Sequence, residues 1–271
     1  MFILTRQKII RLMFWWLVVI PAIPFVLITL GISVYVYWPR DFSSVSQFTV
    51  AQDVEYVTLS AHGVHDTSAS WGDELQQWMT TTPYPQMTGV TQQNHSIDWQ
   101  YYSDSVFTCS VVGKKIGTEI GKRLAALPRL KAIHAIGHSC GSFVVLGICQ
   151  GAKSVAADLL VQTTYLDPVS VYSGFFWDYG IDNFGSCADF SDNYIDTRDT
   201  VPGSNQALPN AITFDVSERQ TVEYADIPPH AWPTRYYINA FRAKKVPLLY
   251  KGDKADFSSL KKGQLIKVAS P

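Results

Sequence analysis

A serine hydroxyl becomes a nucleophile only when a base takes its proton, and the base works best when a carboxylate fixes its tautomer and steadies the imidazolium. The segment Gly137-His-Ser-Cys-Gly141 offers such a serine, Ser139, in a G-x-S-x-G pattern. A bare match of that kind arises by accident in about one chain of this length in ten, given ordinary glycine usage, so its setting has to carry the argument. The apolar run Ala132–Ile136 precedes it and Ser142-Phe-Val-Val-Leu-Gly-Ile-Cys149 follows. That is the strand, sharp turn and helix that hold a serine exposed in strained backbone, with glycines on either side to let strand and helix approach.

Where such an elbow works, acid and histidine follow the serine in the chain. Of the six histidines, at 62, 65, 95, 134, 138 and 230, only His230 lies beyond Ser139, in the proline-rich Asp226-Ile-Pro-Pro-His-Ala-Trp-Pro233. Two aspartates compete for the acid. Asp167 ends a strand-like run in Tyr165-Leu-Asp-Pro168, and Asp199 ends the next in Arg198-Asp-Thr-Val-Pro202. Spacing does not separate them. An oxyanion intermediate needs fixed N–H donors; the backbone of Cys140 at the helix start is one, and Val64 in His62-Gly-Val64 is the second if Gly63 lets its amide turn inward. The set requires no metal and no cofactor.

These residues need a scaffold that brings strand ends to one edge. Strand composition recurs at 54–60, 96–100, 131–136, 159–166, 193–198 and 211–216. Helical signals lie between them: a start at Trp71, apolar residues at Ile116, Ile120, Leu124 and Leu127 within 113–127, the run after the elbow, and 234–244. Residues 80–94 read as a turn-rich excursion and 244–267 as a basic tail without pattern. Alternating strands and helices predict an α/β fold with a mostly parallel sheet flanked by helices.

The remainder of the chain bounds the class. Its 271 residues, 47% hydrophobic and 17% charged, suffice for a sizeable core. A net charge of −1 leaves no electrostatic footprint for nucleic acid. From Leu12 to Trp38 there is no charged residue, long enough to cross a hydrocarbon layer as a helix, with Trp15, Trp16, Tyr35, Tyr37 and Trp38 near its ends. Arg6, Lys8 and Arg11 precede it, which predicts a cytoplasmic N-terminus and everything after Arg40 on the periplasmic or extracellular side. The run is too long for a signal peptide and lacks a small-x-small exit, so an anchor is expected rather than a cleaved leader. The expected organisation is a cytoplasmic stretch 1–11, a transmembrane anchor 12–38, a linker 39–53 and a catalytic domain 54–271. The four cysteines, 109, 140, 149 and 187, either form disulfides in that oxidising compartment or stay as buried thiols. Cys140 reads as a packing residue, not the nucleophile.

Ala61-His-Gly-Val64, Gly137-His-Ser-Cys-Gly141, Tyr165-Leu-Asp-Pro168 and His230, in that order, resemble the α/β-hydrolase superfamily and, within it, the lipases. Leu-Asp-Pro after the elbow is similar to the pancreatic-lipase-like group, which implies Asp167 as the acid. Asp-x-Val-Pro resembles the acid-bearing stretch of filamentous-fungal lipases, which implies Asp199. The resemblance spans about 54–240. It departs from the family at Cys140, where leucine or glycine is commoner, and shows no long amphipathic lid. It implies an α/β-hydrolase fold, hydrolysis of a small-molecule or lipid ester through an acyl-enzyme, and membrane association through the N-terminal helix. The same residues serve an amidase or an acyltransferase, and a hydrolase-like binding module without turnover is the alternative from another class.

Overall fold

The computed structural model describes residues 6–46, 48–82, 84, 87–248 and 260–269. The chain divides into two compact units, 1–40 and 41–271.

The first unit is one helix, α1 (Arg6–Tyr37), long and apolar enough to cross a membrane. Its apolar side chains, among them Phe25, Leu27 and Ile28, are exposed along most of its length, and the turn Trp15–Val19 is wound as π-helix ahead of Pro21 and Pro24. A helix apolar all round has no core of its own to bury against, which is the pattern of a membrane span.

The second unit is built on a seven-stranded sheet: β1 (Tyr56–Ala61), β2 (Gln92–Ile97), β3 (Ala132–His138), β4 (Leu160–Leu166), β5 (Phe190–Ile195), β6 (Ile212–Asp215) and β7 (Leu265–Lys267). Their order is β2-β1-β3-β4-β5-β6-β7 and every pair is parallel. Alternate residues face opposite sides. Val57, Leu59, Ile133, Ala135 and Val161 pack under α3 (Cys109–Ala125) and α4 (Ser142–Val155), whereas Tyr56, Ala132, Ile136 and Tyr194 pack under α2 (Gly72–Thr81) and α5 (Trp232–Arg242). Burial on both faces explains why β1, β3 and β4 are near-continuous apolar or small-residue runs. The two helices α3 and α4 touch backbone to backbone: a Cβ at Gly117 would lie 2.0 Å from the Val144 carbonyl oxygen, so only glycine fits at that crossing.

Several expectations are corrected. Residues 193–198 do not form a strand as a unit; β5 begins at Phe190 and stops at Ile195, leaving Asp196–Asp199 as a turn. Its polar Ser191, Asp192 and Asn193 are tolerated in mid-sheet because Thr163, Thr164 and Thr213 on the flanking strands hydrogen-bond them. The strand expected at 96–100 lies at Gln92–Ile97, an edge strand whose polar residues face partly outward, so the excursion 80–94 holds the end of α2 and the start of β2. The patternless tail supplies β7, an edge strand on β6. The stretch 39–53 is not a free linker: from Asp41 on it joins the second unit, where Phe42 is buried in the core and Tyr102 donates a 2.5 Å hydrogen bond to the Asp41 carbonyl.

The order 2-1-3 places a topological switch between β1 and β3. The chain runs outward from β1 to β2 and then crosses back, so the connections leaving β1 and β3 diverge and open a crevice at their carboxyl ends. Ligands of open α/β sheets bind in such crevices.

Candidate active site

Both loops at that crevice are the ones singled out by composition. The loop after β1 carries His62-Gly63-Val64 and the loop after β3 carries Ser139. Ser139 has φ = +53°, a left-handed backbone that serine rarely adopts, and it opens the 3₁₀ turn Ser139–Gly141 that leads into α4. The flanking glycines are needed for close approach. A Cβ on Gly141 would lie 2.3 Å from the Ala61 carbonyl oxygen, and one on Gly63 would lie 2.9 Å from Ser139 Cβ. Ser139 is 8% exposed, so it does not stand out into solvent as its position at a strand end suggested; it lines the wall of a cavity.

That cavity, about 450 Å³, is also lined by His230, Val64 and Cys140. The remainder of its wall is chiefly apolar, lined by Val169, Val171 and Val201 together with Phe107 and Trp177, each at least half exposed. The amide of Cys140 lies in the first turn of the helical segment, where N–H groups have no intrahelical acceptor. Among the described residues none accepts from the Val64 amide. The loop bearing Val64 is pinned: the indole of Trp99 donates to the His62 carbonyl at 2.9 Å, the Trp99 amide donates to His62 Nε2 at 3.1 Å, and His62 Nδ1 reaches the Gly63 carbonyl at 2.9 Å. Composition marked His62 only as part of a His-Gly pair; Trp99, on the loop after β2, carried no signal.

Both aspartates reach the histidine. His230 Nδ1 lies 2.8 Å from Asp199 Oδ2 and 3.3 Å from Asp167 Oδ2. Asn205 stitches the two acid loops together, its amide donating to Asp167 Oδ1 at 2.8 Å and its side-chain nitrogen to the Asp199 carbonyl at 2.6 Å. His230 is held from the other side too, because His138 Nε2 donates to its carbonyl at 2.9 Å. Burial, reinforced by the nearby His230 charge, pushes the His138 pKa down to about 3, so that ring stays neutral and the donor is retained. Six described non-glycine residues have positive φ; Ser139, Asp167 (+44°), Asn205 (+51°) and His65 (+54°) are four of them, all in or bordering this site. Such strain persists where surrounding structure over-determines it.

The two carboxyl groups differ in what surrounds them. Burial pushes Asp167 up to about 7, only partly opposed by His230 and the Asn205 amide. Burial also raises Asp199, but the Ser204 hydroxyl, the His230 charge and the Val201 amide outweigh it and hold that carboxyl below its usual range. Asp199 is therefore the more readily ionised of the two, and burial favours the neutral form of Asp167. Burial lowers the His230 pKa, yet hydrogen bonds and charge from Asp167 and Asp199 outweigh it and the net direction is upward. One ligand atom from each of the three residues falls within a span of 4.8 Å, a spacing that could hold a cation. With Nδ1 donating between the carboxylates, the same spacing serves proton transfer.

All four cysteines are paired, Cys109 with Cys140 and Cys149 with Cys187. Cys140 is thus cross-linked beside the serine, not simply packed.

In comparisons by sequence, no family model matches the chain and no curated protein matches it.

Proposed function

We propose that the chain is a membrane-anchored serine hydrolase of the α/β-hydrolase type that cleaves carboxylic esters. The observation that carries this reading is a serine held at φ = +53° after β3, sharing one cavity with a histidine whose Nδ1 lies 2.8 Å from an ionised aspartate. In this mechanism Ser139 Oγ attacks the ester carbonyl carbon as its proton passes to His230 Nε2. Asp199 keeps the proton on Nδ1, so Nε2 is free to accept, and its charge stabilises the imidazolium. The carbonyl oxygen, now negative, receives the Cys140 and Val64 amides. His230 then protonates the departing alcohol, and water, deprotonated by His230, cleaves the acyl-enzyme and restores Ser139.

The chiefly apolar cavity suits the hydrophobic acyl part of an ester. Small-molecule and lipid esters both satisfy that requirement. The positive residues Arg6, Lys8 and Arg11 before the span favour a cytoplasmic N-terminus with the hydrolase on the periplasmic or extracellular side, and two disulfides accord with an oxidising compartment. A fluorophosphonate probe, which requires an activated serine, is expected to label the full-length protein and not Ser139→Ala. Equal labelling of both would discard the mechanism.

A further inference from the structure

The disulfide Cys109–Cys140 binds the residue after Ser139 to the first residue of α3, and nothing in the hydrolase chemistry requires it. Its placement is specific. Cys140 supplies one of the two amides assigned to the oxyanion, and both cysteines line the same cavity as Ser139 while being almost completely buried from bulk water. Cys109 lies two residues beyond Phe107, and Val106 and Phe107 also line that cavity. The bridge therefore ties the strained turn to the segment that carries the lining residues Val106 and Phe107. The other restraints on the turn are non-covalent: the Ser139 carbonyl accepts from the Val169 amide at 3.3 Å and from the Ser142 amide, and Gly63, Gly137 and Gly141 pack closely around it. A left-handed serine relaxes unless its neighbours hold it.

We propose that this disulfide is a positioning element of the oxyanion site and the point at which a dithiol entering the cavity switches the site off; the inference rests on the hydrolase reading. The exchange is balanced. One thiolate of the dithiol attacks a cystine sulfur and displaces the other as a thiolate, then the second thiol of the reagent attacks the mixed disulfide. The reagent leaves as a cyclic disulfide, having passed two electrons and two protons to Cys109 and Cys140. With the brace open, the Cys140 amide is free to drift from the position of the oxyanion, and a misplacement of about 1 Å costs on the order of 100-fold in turnover.

The second disulfide supplies the control. Cys149 of α4 and Cys187 in the loop before β5 are 38 residues apart against 31 for the first pair, so loop closure stabilises the fold almost equally in the two cases. Neither Cys149 nor Cys187 lines the cavity. The test compares full-length Cys109→Ala/Cys140→Ala with Cys149→Ala/Cys187→Ala in detergent micelles, measuring kcat and KM on a short-chain p-nitrophenyl ester, thermal midpoint, and hydrogen exchange of 137–142. Both variants are expected to lose similar thermal stability. Only the first should show kcat lowered about 10- to 100-fold with KM nearly unchanged, faster exchange at 137–142, and no further response to dithiothreitol. Wild type and the second variant should lose kcat on dithiothreitol to the same level. Equal kcat in both variants, or exchange at 137–142 that rises no more in the first than in the second, overturns the proposal. Should the wild type turn over no ester, the hydrolase reading fails by itself, and the exchange comparison still decides whether the bridge holds the turn.

Discussion

Replacing each acid in turn by asparagine separates two carboxylates that geometry alone leaves close to equivalent. At an effective dielectric of 20, a unit charge 2.8 Å from Nδ1 stabilises the imidazolium by roughly 6 kcal/mol, and one at 3.3 Å by roughly 5 kcal/mol. Distance hardly distinguishes them. Charge does: burial pushes the Asp167 pKa up to about 7, which favours its neutral form, while hydrogen bonds hold the Asp199 carboxyl below its usual range. Asparagine at 199 also presents an amide N–H where Nδ1 must donate, which favours the wrong tautomer. Taking 4–5 kcal/mol as the part of Asp199's interaction realised only in the transition state gives about a 10³- to 10⁴-fold loss of kcat/KM for Asp199→Asn at pH 7.5. Asp167→Asn, which leaves the ionised partner in place, is expected to lose about 10-fold or less. Steady-state hydrolysis of a water-soluble p-nitrophenyl ester by the full-length variants reads both. A 10³-fold loss in Asp167→Asn alongside near-normal Asp199→Asn would mean that the more deeply buried carboxylate is the working acid and that the burial argument is wrong.

Two other outcomes follow from the same geometry. The base must be neutral to accept the serine proton, and because the two aspartates raise the His230 pKa, the acid limb of kcat/KM is expected at a pH above the ordinary histidine value of about 6.5; Asp199→Asn should move that limb downward, and a limb unmoved in the variant would detach it from His230. Gly63→Ala brings a methyl group within 2.9 Å of Ser139 Cβ and 3.3 Å of its hydroxyl oxygen, so kcat should fall about 10- to 100-fold while circular dichroism stays that of the wild type; an unchanged kcat would show that this contact does not position the serine.

Much of this architecture was legible before folding was considered. The elbow was readable because a left-handed serine between a strand and a helix needs glycine at fixed offsets, a demand of local sterics that Gly137 and Gly141 meet. The buried strands β1, β3 and β4 announced themselves by composition, and α1 by its uninterrupted apolar length. Less legible were β2 and β7, edge strands whose polar residues carry no periodicity, and β5, whose buried Asp192 and Asn193 depend on partners from strands distant in sequence.

The amino-acid order by itself determined which residue types could do the chemistry, that a serine at 139 would sit in a strained turn, and that the only histidine downstream was His230. Only the tertiary structure decided that both Asp167 and Asp199 reach that histidine, that Asn205 joins their loops, that Trp99 pins the loop bearing Val64, and that Cys140 is bonded to Cys109. The division has a physical cause. Backbone sterics and side-chain periodicity act over a few residues and are written into short stretches of chain, whereas which loops meet depends on strand order, and strand order is set by burial of both faces of the sheet at once, a property of the whole domain.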